Sequence, residues 1–285
     1  MIKINGQKID VGHFPDKTQM LLNVDLENPY RFKIVWTYEC DEELLTLIYL
    51  KRHIDTHYKG IGCDLYMPYV PNGRMDRVKK DSEVFTLKYF CEVINGLNFE
   101  TVYVLDPHSY VTEALINNIK VMNVSLIIAK CIGSIKDDYG IDTVTVYFPD
   151  DGAMKRYKDI FDGDVEIIYG KKTRDWETGK ITGLEVYDAK GDKIEGDFLK
   201  DRTILMIDDI ISFGGTLAYS TDKLREHGAK NIFAYASHTE NSVINGEKGT
   251  LLKRYFDGTF QKIYTTNSLF HFRTEHPMIK FIYEF

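Results

Sequence analysis

Carboxylates, glycines and hydroxyls stand close together between Arg202 and Ser220, in the run R-T-I-L-M-I-D-D-I-I-S-F-G-G-T-L-A-Y-S. The mostly apolar stretch from Thr203 to Asp208 reads as a short buried strand ending in two acids, Asp208 and Asp209. A turn with Gly214 and Gly215 follows, and a helix opens near Thr216. Such an order builds an anion pocket. The first amides of a helix have no intrahelical acceptor, and the helix dipole favours negative charge beside them. Glycines let a phosphate approach the backbone, and Thr216 adds a hydroxyl donor. Acids at the carboxyl end of the strand, where open α/β sheets bind ligands, suit sugar hydroxyls or a bridging cation.

Other strand ends carry chemistry of the same kind. Gly170 to Asp175, G-K-K-T-R-D, places three cations directly after a strand. It reads either as a solvated charged turn or as a mobile basic loop that closes over a polyphosphate, where Lys and Arg stabilise developing charge. In Pro68 to Val78, P-Y-V-P-N-G-R-M-D-R-V, Arg74 could fork onto phosphates while Asp76 holds an arginine, or the segment could be a surface ion-pair turn. Asp106 to Ser109, D-P-H-S, offers His108 either as a metal ligand or as a helix cap. Phe148 to Ala153, F-P-D-D-G-A, could hold Mg²⁺ or present amides to a diphosphate, although Asp-Gly turns commonly open helices.

The elements that must position these residues alternate. Phe32 to Tyr38 reads as a strand, Glu42 to His57 as a helix buried on one face, Asp64 to Val70 as a strand and Glu83 to Ile94 as a helix. A strand is expected over Thr101 to Asp106, with helices from Tyr110 to Asn117 and Val124 to Ile132. A second series starts with the strand Thr143 to Phe148, then a helix and the strand Val165 to Tyr169. The polar segment Gly170 to Lys200 precedes the acidic strand, with a small hairpin expected from Leu184 to Tyr187 and Lys193 to Glu195. Asn231 to Ser237, Lys262 to Thr265 and Ile279 to Phe285 close the series as strands. Alternation of this kind argues for an α/β fold with mainly parallel sheets flanked by helices. The polar stretch Gly133 to Asp142 is the expected boundary, dividing residues 1–138 from 139–285.

At 285 residues the chain suits two domains of about 140 residues each. Its 44% hydrophobic content supports sizeable cores, and its net charge of −7 argues against non-specific nucleic-acid binding. Cys40, Cys63, Cys91 and Cys131 lie far apart with no C-x-x-C pair, which points to reduced core thiols rather than to zinc or a disulfide framework. No apolar run approaches membrane-spanning length and the N-terminus lacks a signal peptide, so the expected compartment is the cytoplasm.

Taken in order, the motifs resemble the ribose-phosphate pyrophosphokinase family over most of the chain. Pro68 to Arg77 is similar to its P-Y-x-x-x-x-R-Q-D-R segment, Asp106 to Ser109 to its D-L-H motif, and Pro149 to Ala153 to its P-D-x-G motif. Lys172-Thr173-Arg174 resembles the K-x-R of its catalytic flexible loop, and Asp208 to Thr216 its D-D-x-I-[DS]-T-G-G-T loop. Phe14-Pro15-Asp16 resembles the start of an F-x-[DN]-G-E segment that contacts adenine from a neighbouring subunit, and Ser237-His238 falls where the family has a T-H pair. The chain departs from the pattern at Lys17-Thr18 (Gly-Glu), Met75 (Gln), Pro107 (Leu) and Phe213 (Thr), and Lys171 offers a second register for the loop lysine.

The resemblance implies two tandem phosphoribosyltransferase-like domains, ATP-binding and then ribose-5-phosphate-binding. It implies transfer of the β,γ-diphosphoryl group of ATP to the C1 hydroxyl of ribose 5-phosphate. Lys172 and Arg174 would be catalytic, and Phe14, Asp16, Lys17, Thr18, Arg74, Met75, Asp76 and Arg77 would bind ATP. Ser212, Phe213, Gly214, Gly215 and Thr216 would take the 5-phosphate, and Asp208 and Asp209 the ribose hydroxyls. His108 and Asp150 would carry Mg²⁺. A homo-oligomer, a dimer or higher, follows from the shared adenine contact. A type I phosphoribosyltransferase consuming the diphosphate product and a non-catalytic regulatory relative are the alternatives.

Overall fold

Phe32, Ile34 and Trp36 are fully buried while Lys33 between them is exposed, the period-two pattern of a strand with one face on a core. That strand belongs to the first of two units, Met1–Asn123 with Phe285; the second is Val124–Glu284. The structure is a computed structural model. It describes all residues except 23, 25, 28, 162, 164, 175–180 and 272–275, and all side chains of the rest except those of 173, 174, 181 and 182.

The first unit opens with a hairpin of β1 (Ile2–Ile4) and β2 (Gln7–Lys8), then a two-stranded ribbon of β3 (Gly12–His13) and β4 (Gln19–Met20). The main series is β5 (Phe32–Trp36), α1 (Glu42–His57), β6 (Cys63–Tyr66), α2 (Thr86–Gly96), β7 (Thr101–Leu105), α3 (Tyr110–Leu115) and β8 (Ile119–Met122). The sheet order is β2-β1-β5-β6-β7-β8, with β5 to β8 parallel and β1 antiparallel to β5. Helix α2 buries Leu87, Phe90, Cys91 and Ile94, spaced as one helical face, against this sheet's core. Sequence reading assigns no strand or helix before Phe32, yet Asn5-Gly6 is a strong hairpin signal. Both residues are left-handed (φ 51° and 87°), as a two-residue turn between twisted strands demands.

The second unit runs α4 (Ser125–Tyr139), β9 (Thr145–Phe148), α5 (Asp151–Tyr157), β10 (Ile167–Arg174), β11 (Ile181–Asp188), β12 (Thr203–Ile211), α6 (Gly215–Glu226), β13 (Asn231–Thr239), α7 (Thr250–Phe256), β14 (Lys262–Thr266) and β15 (Ile279–Tyr283). Its order is β11-β10-β9-β12-β13-β14-β15, all parallel except β11, which pairs antiparallel with β10. The five residues Thr203 to Ile207 are all buried, as the continuous apolar run of a central parallel strand requires. The mainly parallel α/β class expected from sequence is the observed one.

Two expectations are corrected here. The polar stretch Gly133 to Asp142 is no linker: it lies largely within α4, whose buried Ile127, Ile128, Cys131 and Ile135 carry one apolar face through it, and the units divide between Asn123 and Val124. The basic segment Gly170–Arg174 is strand, not loop, with Lys171 opposite Glu185 and Lys172 opposite Leu184. Buried Leu184 and Val186 alternate with more exposed Glu185 and Tyr187, a period-two signal present in the sequence. The smaller expected hairpin is found, with Tyr187 bridging Lys193 and the Ile194 amide donating to the Val186 carbonyl at 2.8 Å. No helix among the described residues is long and apolar enough to cross a membrane.

Cys63, Cys91 and Cys131 are buried core thiols, but Cys40 is exposed. Burial pushes the thiols of Cys63 and Cys91 up to about 12, and that of Cys131 upward as well. Thiolate is the reactive form, so burial and raised pKa act together. Iodoacetamide at neutral pH is therefore expected to label Cys40 in the native protein and all four cysteines in denaturant, as read by mass spectrometry.

Candidate functional site

In the second unit the pairing of β12 with β13 continues past the acids, with Asp208 opposite Ala236, Ile210 opposite His238 and Ile211 opposite Thr239. The acids therefore stand within a central strand rather than beyond it. Asp209 is 7% exposed and Asp208 half-buried, and the Asp209 amide donates to Asp208 Oδ1 at 3.0 Å. Burial, with the carboxylates of Asp209 and Asp150 nearby, pushes the Asp208 carboxyl well above the usual range.

The glycine turn is held by its backbone. Gly214 has a left-handed φ of 77°, and its carbonyl accepts the first helical bond of α6 from the Ala218 amide at 2.8 Å. A Cβ at Gly214 would lie 2.5 Å from Leu251 Cβ, so Leu251 of α7 seals the turn from behind. Thr250 donates to the Phe213 carbonyl through its amide at 3.1 Å and its hydroxyl at 3.3 Å. Phe213 thus serves the loop through a carbonyl that any residue supplies, while the residue itself is 40% exposed. Ser212 Oγ donates to Glu240 Oε2 at 2.6 Å, and Ser242 Oγ donates to the same oxygen at 3.0 Å. Glu240 belongs to none of the sequence motifs.

The FPDDGA turn carries Asp150 as the cap of α5. Its Oδ1 accepts from the amides of Gly152 and Ala153, each at 3.1 Å, and its Oδ2 accepts from Lys172 Nζ at 3.2 Å. The Lys172 side chain is 10% exposed and that of Asp150 46%, so the pair opens to solvent on the carboxylate side. Strand alternation sends Lys171 to the opposite face, where its ammonium lies 4.4 Å from the Tyr187 ring centroid. Gly170 is required just before them: a Cβ there would lie 2.3 Å from the buried Tyr147 hydroxyl. The second unit therefore brings Asp150, Lys172 and Asp208 into one electrostatic neighbourhood. Arg174 ends β10, and its side chain lies outside the described residues.

In the first unit the PNGRMDR segment is a turn, with the Met75 amide donating to the Asn72 carbonyl at 2.9 Å. Arg74, Met75 and Arg77 are exposed, and Arg77 Nε stands 3.5 Å from the less exposed Asp76. A Cβ on Gly73 would come 3.7 Å from His108 Cβ, so the arginine turn and the DPH motif are neighbours. Ser109, not His108, caps α3: its Oγ accepts from the Val111 amide at 3.2 Å. Asp106 before them is left-handed at φ 43°. Phe14 to Thr18 forms the turn between β3 and β4, where Asp16 Oδ1 accepts from the Thr18 amide at 3.0 Å and hydroxyl at 2.7 Å. These bonds hold the exposed Asp16 carboxyl below its usual value. Lys17 occupies the family's glycine position and adopts the left-handed φ of 69° that a glycine takes freely.

Among the described residues no group of three or more His, Cys, Asp or Glu side chains is arranged to hold a metal ion. A scan against protein-family models finds no match. The ribose-phosphate pyrophosphokinase of Thermococcus kodakarensis is 30% identical over 233 residues, covering 81% of this chain and 77% of that protein. The chain belongs to the ribose-phosphate pyrophosphokinase family. The enzyme of that name from Sulfolobus acidocaldarius is 24% identical over 235 residues, covering 80% and 72% of the two chains. The crystal structure of phosphoribosylpyrophosphate synthetase from Mycobacterium smegmatis shares the fold at a TM-score of 0.73 and 17% identity, over 97% of this chain and 86% of that one.

Two predictions follow from how the family's acidic strand and glycine turn are held here. A carboxyl whose folded-state pKa is raised binds its proton more tightly when folded, so its favourable contribution is lost as pH rises through that value. Asp208→Asn is therefore expected to raise the melting temperature above that of the native protein near neutral pH, and to flatten the decline from acid to neutral pH in scanning calorimetry. Gly214→Ala combines a left-handed backbone with the Leu251 clash. It should cost about 2–4 kcal/mol in denaturant unfolding.

Proposed function

We propose that the chain transfers the β,γ-diphosphoryl group of ATP to the C1 hydroxyl of ribose 5-phosphate, giving 5-phosphoribosyl 1-diphosphate and AMP. Family membership supports the reaction. The observation that carries the residue roles is the grouping of the acid pair and the Lys172–Asp150 pair in one unit with the glycine turn. The new bond joins the C1 oxygen to the β-phosphorus of ATP, and the bridging oxygen departs with AMP.

In this reading the free amides at the start of α6 and the Thr216 hydroxyl take the 5-phosphate. Asp208 and Asp209 orient the ribose hydroxyls, with the protonated form of Asp208 able to donate as well as accept. Because Ser212 gives its hydroxyl proton to Glu240, its share in phosphate binding falls to its backbone. Lys172, on the Asp150 face of β10, stabilises charge on the transferred group together with Arg174. Arg74, beside His108, holds the ATP phosphates, and Met75, Asp76 and Arg77 complete that turn. The Phe14–Thr18 turn approaches adenine on a neighbouring subunit, so the working enzyme is a dimer or larger, in the cytoplasm.

In the second unit Asp150 Oδ2 is an oxygen ligand of the kind Mg²⁺ prefers, and in the first unit His108 offers a nitrogen ligand. Mg²⁺ would draw charge off the transferred group. Asp150 would exchange its Lys172 contact for the cation, freeing the ammonium for the phosphates.

AMP should form from ATP only when ribose 5-phosphate and Mg²⁺ are both present, followed by chromatography. Lys172→Ala should lower kcat about 100- to 1,000-fold while changing substrate affinity much less. Absence of AMP with both substrates supplied would sink the proposal.

A further inference from the structure

The turn Phe14–Thr18 fixes its own shape. The Phe14 amide donates to the Thr18 carbonyl at 2.9 Å, the Lys17 amide donates to the Phe14 carbonyl at 2.8 Å, and Asp16 accepts twice from Thr18. Its direction needs a further constraint. The strands that carry it pair only Gly12 with Met20 and His13 with Gln19, and a two-stranded ribbon this short is marginal by itself. Gln19, directly after the turn, joins it to α1 through both ends of one amide. Gln19 Nε2 donates to the Glu42 carbonyl at 3.0 Å, and Gln19 Oε1 accepts from the Thr46 hydroxyl at 2.9 Å. Glu42 and Thr46 lie about one helical turn apart on the same face of α1. Thr46 is 2% exposed, and Leu47, Leu50 and Ile54 bury α1 in the core, so the anchor is a fixed one. The Gln19 side chain also lines two clefts of the first unit, one with His13 and Thr46, the other with Leu22 and Tyr49. Open space thus borders this tether on two sides.

We propose that Gln19 is a positioning residue for the nucleotide, holding the Phe14–Thr18 turn in the direction from which it meets its ligand. The inference rests on reading that turn as a nucleotide contact. Phe14, 50% exposed, is then presented from a fixed base, and the entropy of ordering the turn is lost on folding rather than on binding. Gln19 itself acts through the turn and through α1, without contact to the reacting groups. It adds to the reading a residue outside every motif, with a specific consequence. Loss of the amide weakens the nucleotide alone, and leaves ribose 5-phosphate and the transfer step as they are.

Gln19→Ala removes both bonds, Thr46→Val removes one of them from the helix side, and Phe14→Ala removes the presented ring. Steady-state kinetics give kcat and the KM for ATP and for ribose 5-phosphate of each variant, and thermal unfolding gives its Tm. Gln19→Ala is expected to raise the KM for ATP about tenfold, as a turn held in the competent direction about one-tenth of the time requires, with kcat and the KM for ribose 5-phosphate within about twofold of native. Thr46→Val should raise the KM for ATP about threefold, and the double variant should be no worse than Gln19→Ala, because the two side chains share one interaction. A rise with Phe14→Ala, while Gln19→Ala and Thr46→Val leave the KM for ATP at its native value, overturns the positioning role and leaves the nucleotide turn standing. If none of the three variants changes the KM for ATP, the nucleotide reading of the turn falls as well. A lower kcat and Tm with equal rises in both KM values also rejects the inference, because that pattern belongs to a general loss of structure.

Discussion

Two carboxylates carried near the end of an otherwise apolar central strand impose the constraint to which the rest of the second unit answers. An unpaired buried carboxylate is costly, and Asp208 and Asp209 adjoin each other with Asp150 close by. Position in the strand is one part of how the fold meets this. The strand is paired with β9 over Ile204 to Met206 and with β13 from Thr203 to Ile211, so the acids stand where the β9 pairing has ended and the β13 pairing continues. Asp208 takes an amide donor from Asp209 and holds its proton more tightly, and Lys172 reaches Asp150 from the neighbouring hairpin. Three carboxyl groups are thus gathered in one neighbourhood, one holding its proton more tightly and one paired with an ammonium.

The path of the glycine turn depends little on side-chain identity inside it. Its path is set by the left-handed Gly214, by Leu251 behind that glycine and by the two Thr250 donors to the Phe213 carbonyl. The departure from the family's threonine at Phe213 leaves each of these in place. In the first unit Lys17 takes a left-handed backbone conformation at some cost in strain. Departures from a motif of this kind bear on ligand contacts more than on the shape of the loop.

Hairpin β10–β11 places a lysine differently from a loop. Adjacent lysines on a strand face opposite ways, so Lys171 lies over aromatic rings and Lys172 pairs with Asp150. A basic run that looks uniform in one dimension divides into a packing residue and a chemical one. The Tyr147 hydroxyl leaves room only for a glycine at position 170, just before the two lysines. In the first unit a comparable close approach, Gly73 to His108, sets the arginine turn beside the histidine motif.

Much of the fold was legible in sequence because hydrophobic periodicity is local. The apolar runs at Phe32, Thr101, Thr203 and Asn231 fall on strands, and Glu42 to His57 is a helix over its whole length. The Asp-Asp and Gly-Gly-Thr spacing likewise specified a strand, a turn and a helix start. The expected boundary at Gly133 to Asp142 failed because local polarity does not distinguish a linker from the solvated face of a helix; α4 settles that by burying Cys131 and Ile135. The basic segment was misread as a loop because its strand pairing is with residues beyond 180, and pairing is non-local. For the same reason no motif pointed to Glu240, which meets Ser212 only because β12 and β13 end side by side. The sequence by itself determined which residues could bind an anion and a sugar. Only tertiary structure decided which hydroxyl is already spent, which lysine faces the acids and which carboxyl holds its proton, because each depends on groups brought together from distant parts of the chain.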